Sequence, residues 1–138
     1  MSRENVEIVR TLYDSFDRGD HEFPFRTYDA EIVWENFAPP PAGMEATYHG
    51  HDGVRRFWRQ WFDAWGRVEF AYEQLFDAGD DVVVFLGMRA FGRASGIETA
   101  VDEYAQVWTL HDGMVVRMRF YAGRDEALAA AGITPEDA

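Results

Sequence analysis

The apolar residues of this chain change their period midway along it, and that change decides what it can fold into. Up to Trp65 they recur at three and four residues. Val6, Val9, Leu12, Tyr13 and Phe16 make one stripe over residues 4–18, with Ile8 beside it. Val54, Phe57, Trp58, Trp61, Phe62 and Trp65 make a second over residues 52–65. Such spacing predicts two amphipathic helices. Ser2 suits the N-cap of the first, with Asn5 as the alternative, and Gly19-Asp20 its end. A shorter helix is expected over Phe23–Tyr28. Ile32–Asn36 reads as a strand, and Phe37–Tyr48, with Pro39-Pro40-Pro41 and Gly43, as a loop. After Gly66 the pattern becomes strand-like. Strands are predicted over Val68–Phe76, Val82–Arg93, Thr99–Leu110 and Met114–Tyr121, with turns at Asp77–Asp81, Arg93–Gly96 and His111-Asp112-Gly113. A last short helix follows over Asp125–Ala131. Three helices and then a meander of long strands predict an α+β fold, with helices on one sheet face and residues 1–138 as one domain.

Composition narrows the function classes. The chain carries 5 Trp, 6 Tyr and 11 Phe in 138 residues, many for one small core, and large aromatics also wall ligand pockets well. A net charge of −12 argues against nucleic acid and against an anionic membrane surface. Every basic residue is Arg, which removes lysine Schiff-base chemistry. Without Cys there is no disulfide, thiolate nucleophile or zinc–sulfur site. No His/Glu spacing suggests a metal and no glycine-rich phosphate loop suggests a nucleotide, so no cofactor is expected. The opening MSRENVEIVR is charged and lacks the apolar stretch of a signal peptide, which makes the cytoplasm the expected location.

Four stretches resemble the SnoaL-like families of the nuclear transport factor two-like superfamily, relatives of ketosteroid isomerases and polyketide cyclases. They are Phe16-Asp17-Arg18-Gly19-Asp20, then Asp29-Ala30-Glu31-Ile32-Val33-Trp34-Glu35-Asn36, then Tyr48-His49-Gly50 leading into Val54-Arg55-Arg56-Phe57. The fourth is Tyr104–Leu110 with Asp112-Gly113, Val115–Phe120, Glu126-Ala127-Leu128 and Ala130-Ala131-Gly132. The resemblance implies a cone-shaped curved antiparallel sheet wrapped around three N-terminal helices, closed by a short C-terminal helix. Its members include cyclases, isomerases, dehydratases, epoxide hydrolases and proteins without catalysis, so the fold alone does not choose a function.

Side chains alternate across a strand. The resemblance implies that the even-numbered face of the long strands lines the cone. The expected ligand-binding residues are Trp34, Asn36, Trp58, Trp61, Leu86, Met88, Tyr104, Gln106, Trp108, Met118 and Phe120. Arg55, Arg56, Arg59 and Gln60 fall off the apolar stripe and read as a solvated helix face. The opposite sheet face carries Val101, Ala105, Val107 and Thr109, an apolar stripe that predicts a homodimer.

The resemblance also sets a test of chemistry. Isomerase relatives need a carboxylate base and an oxyanion donor inside the cone. The positions that match them here are Asn36 and Gln106, and an amide is no general base. No Arg falls on the expected pocket faces for an epoxide hydrolase relay. Asp102, on the Gln106 face by alternation, is the candidate base, with the open rim of the cone as the alternative placement. His49, after the Pro-rich loop, is a second candidate with the surface as its alternative. Two functions stay open. One is an isomerase, cyclase or dehydratase acting on a polycyclic or aromatic compound. The other is a non-catalytic binding or dimerisation module for a small apolar or aromatic ligand.

Overall fold

A computed structural model describes residues 2–38, 44–92 and 98–133, of which 2, 65–68, 90, 92 and 98–103 are described by backbone course only. Helix α1 spans Ser2–Asp17 and buries Asn5, Val9, Leu12 and Tyr13. Gly19, at φ 78°, ends it. A 3₁₀ turn over Phe23–Arg26 carries Pro24 in its first turn, where the missing N–H would be unpaired anyway. Strand β1 (Tyr28–Asn36) and strand β2 (Thr47–His49) lead into helix α2 (Gly50–Ala64). Four long strands follow: β3 (Trp65–Ala78), β4 (Asp81–Gly92), β5 (Glu98–His111) and β6 (Met114–Tyr121). Helix α3 (Arg124–Ala130) comes last.

The six strands form one open sheet in the order β2-β1-β6-β5-β4-β3. All pairings among the described strands are antiparallel except β1 with β6, which run parallel because α2 and the long meander intervene between them. The fold is thus α+β with a mixed, curved sheet. Two segments differ from the sequence reading. Strand β1 begins at Tyr28, where a short helix was expected to end, and Thr47–His49 is a strand rather than loop. Three residues are too few to show a period.

Alternation sorts the buried side chains into two clusters. Val82, Val84, Leu86 and Met88 of β4 join Trp34, Trp108, Met118 and the inner faces of α1 and α2. Val83 and Phe85 join Ala105, Val107 and Tyr121 on the other face, beneath Ala127 and Leu128 of α3. Val82–Leu86 is therefore buried on both sides, which is why it reads as an unbroken apolar run. Ala105 and Val107, half of the stripe that predicted a dimer, are already covered by α3 within one chain. Val101 lies outside the residues whose side chains are described.

Gly50 sets the junction that aims α2 into the cone. Its φ is 70°, and a Cβ there would stand 3.2 Å from the carbonyl oxygen of Ala30. Left-handed backbone alone costs a residue with a side chain about 1–2 kcal/mol. We expect Gly50→Ala to lower stability by at least that much. Urea unfolding checks it, through a lower midpoint at unchanged slope.

Candidate functional site

Between α1, α2, the 3₁₀ turn and the concave sheet face lies a cavity of about 650 Å³. That lies within the usual range for small-molecule sites, about 300–1,000 Å³. Its interior is aromatic. Trp34 and Trp108 meet edge to face with centroids 5.7 Å apart. Tyr28 lies 6.4 Å from Trp108 and 5.8 Å from Trp34, and Tyr13 lies 6.2 Å from Trp108. Trp58, from α2, packs on Trp34 at 6.1 Å.

The polar groups of the interior are few and neutral. The Tyr13 hydroxyl donates to Gln106 Oε1, and Trp108 Nε1 donates to the same oxygen at 3.2 Å. An indole N–H is a donor only, so this contact fixes the amide's orientation and leaves its NH₂ on the other side. Gln106 Nε2 has no hydrogen-bond partner among the described residues, and neither has the Tyr28 hydroxyl. The buried Trp34 Nε1 is likewise unpaired. Gln106 Nε2 and the Tyr28 hydroxyl thus border the apolar cavity without protein acceptors, while Trp34 Nε1 is closed off from it. Leaving such a group unsatisfied costs about 1–3 kcal/mol each, so unpaired groups are rare in native cores.

Burial pushes the hydroxyls of Tyr13 and Tyr28 well above the ordinary tyrosine value of 10.0, and for Tyr28 the neighbouring Tyr13 adds to the rise. Both therefore stay neutral donors at physiological pH. A group with a raised folded pKa contributes stability that is complete below its unfolded value and is lost as pH rises beyond it. Stability should hold to near pH 10 and then fall by up to about 1.4 kcal/mol per pH unit for each of the two tyrosines. Urea unfolding at pH 9–11.5 checks this, and the slope should shrink in Tyr28→Phe.

Ionisable groups sit at the mouth. Exposed His21 stacks on Phe16 at 4.9 Å and on Phe62 at 5.7 Å. Arg55 binds both oxygens of Glu22 at 2.5–2.8 Å, with its guanidinium 4.0 Å over the Phe25 ring. Arg59 and Asp63 complete the rim. No cluster of His, Cys, Asp or Glu among the described residues could hold a metal ion.

The cavity gathers Trp34, Trp58, Gln106 and Trp108 from the residues expected in it. Trp61, Leu86, Met88, Met118 and Phe120 are instead packed in the core, and do not line the cavity. Tyr104 packs on Phe120 at 4.8 Å, and Asn36 Nδ2 reaches the Glu45 carbonyl at 3.4 Å. Neither lines the cavity. His49 is exposed on β2, away from it. The side chain of Asp102 lies outside the described residues. Tyr104 pairs with Leu86 but Val101 with Met88, so β5 has one residue more than β4 across this stretch.

Sequence reasoning missed Tyr13, Tyr28 and the arginine rim. Tyr13 lay on the α1 stripe and so was legible. Arg55, Trp58, Arg59 and Phe62 stand at i, i+3, i+4 and i+7, one face of α2, and the expectation that the arginines point away is corrected for Arg55 and Arg59.

The model of the SnoaL-like domain matches residues 9–118. The chain belongs to the SnoaL-like family. No curated protein matches it. Among solved structures it is similar to an NTF2-like protein of unknown function from Burkholderia pseudomallei, at 23% identity and TM-score 0.77, covering 91% of this chain and 95% of that one. A Mesorhizobium loti protein described as a SnoaL-like polyketide cyclase gives 20% identity and TM-score 0.66, covering 83% and 96%. TerC co-crystallised with polyporic acid gives 22% identity and TM-score 0.76, covering 94% and 98%. At such identities these likenesses show the fold. None of the described helices of this SnoaL-like chain is long and apolar enough to cross a membrane.

Proposed function

We propose that this SnoaL-like protein binds a flat, mostly apolar molecule that carries at least one carbonyl or similar oxygen. The observation that carries the reading is the pair of donors without protein acceptors, Gln106 Nε2 and the Tyr28 hydroxyl, at the edge of one aromatic cavity. Aromatic walls accept a planar ring system by stacking, and an oxygen acceptor satisfies groups that the protein leaves open. The test is tryptophan-fluorescence titration with fluorenone and with fluorene, which differ by one carbonyl. Fluorenone should bind more tightly, and equal binding would count against the proposal.

The second reading is catalysis, by an isomerase, cyclase or dehydratase. Neutral donors in a dry site would also stabilise an enolate, which favours it. It needs a proton acceptor, and the cavity's described carboxylates, Glu22 and Asp63, are exposed at the mouth. Asp102, or His49 moved inward, is the proposed base. Turnover of a ligand that is lost in Asp102→Asn would establish this reading over simple binding. A homodimer and a cytoplasmic location remain parts of the proposal. The dimer would use the sheet face that α3 leaves uncovered, beside exposed Phe37, which stacks on Tyr121 at 5.0 Å.

A further inference from the structure

Helix α2 carries three arginines, and two of them are committed. Arg55 holds Glu22, and Arg56 holds Glu45 at 2.8 Å. Arg59 also lies at the rim of the cavity, between Trp58 and Phe62 on the same helix face. It has no ion pair or hydrogen bond among the described residues. This is unusual company for a free cation, since the chain has 25 acidic residues against 13 arginines. The two rim carboxylates do not serve it. Glu22 is held by Arg55, and Asp63 has an interaction elsewhere.

We propose that Arg59 binds a carboxylate on the ligand, whose apolar body fills the aromatic cavity behind it. The inference rests on the pocket reading above and extends it to the ligand's second end. A guanidinium presents a planar fork of donors that matches a carboxylate in two parallel hydrogen bonds. The preferred ligand is therefore amphiphilic, with a neutral oxygen acceptor toward Gln106 and Tyr28 and an anionic group at the mouth. A general attraction for anions cannot account for such a preference. The net charge of −12 repels them, so any selectivity for a carboxylate has to be local.

The experiment uses two probes of one shape, fluorenone-2-carboxylate and fluorenone-2-carboxamide. Each is titrated by tryptophan fluorescence at low ionic strength against the full chain, Arg59→Gln and Arg56→Gln. The full chain should bind the carboxylate about 5-fold more tightly, the scale of a partly exposed charged contact. The preference should shrink as salt is added. Arg59→Gln should abolish it, while Arg56→Gln keeps it. Equal affinity of the full chain for both probes overturns the inference, as does a preference that survives in Arg59→Gln. If neither probe binds, the pocket reading itself is overturned, and the inference with it.

Discussion

Trp34→Ala should lower the free energy of unfolding by about 3–5 kcal/mol, the range for removing a buried tryptophan. The side chain is 1% exposed and touches Tyr28, Phe57, Trp58 and Trp108, with centroids 5.4–6.1 Å away. These rings come from α2, the start of β1 and β5, so the indole joins the helical layer to the sheet. Its loss would enlarge a cavity that the fold already holds open, and the surrounding rings have little freedom to collapse into it. Typical domains are stable by only about 5–15 kcal/mol, so the variant should stand near the limit of folding. Trp34→Phe separates the two roles of the residue. It keeps most of the packing and deletes a buried N–H that has no partner, so the loss should stay under about 1.5 kcal/mol. Urea midpoints of both variants check the contrast. Similar losses in the two would mean that the N–H, rather than the ring, holds the site together.

The sequence made some of this legible for physical reasons. Period separates helix from strand, and parity separates one sheet face from the other. The family resemblance then chose which face lines the cone, and so placed Trp34, Gln106 and Trp108 on one side. Parity says nothing of depth. Leu86, Met88, Met118 and Phe120 share that side with Gln106, yet they lie where the core is filled. Depth depends on how far α1 and α2 reach across the sheet, a non-local property with no signature in a strand. Tyr28 was missed for a different reason. It follows the Phe23–Arg26 turn directly, and local spacing ran the helix on through it. The bulge before Tyr104 shows the limit of parity itself, since one inserted residue reverses every face beyond it.

Binding should depend on oxygen acceptors in the ligand, and this has the largest expected effect on function. A carbonyl that meets Gln106 Nε2 and the Tyr28 hydroxyl replaces water at groups the protein leaves unpaired. One such contact is worth about 0.5–1.5 kcal/mol net, and two should give about 10-fold or more in affinity. Removing both donors in Tyr28→Phe/Gln106→Leu should erase that advantage while leaving the apolar contribution, since the aromatic walls remain. Thermal unfolding in the presence of each probe offers an independent reading, because a ligand that binds only the folded chain raises its Tm.

The most direct test of a donor-lined aromatic pocket is the ratio of fluorene to fluorenone dissociation constants, measured by quenching of tryptophan fluorescence in the full chain and in Tyr28→Phe/Gln106→Leu. The account predicts a ratio of about 10 or more in the full chain, falling to about 1 in the double variant. A ratio near 1 in the full chain, or an advantage for fluorenone that the double variant retains, would contradict it.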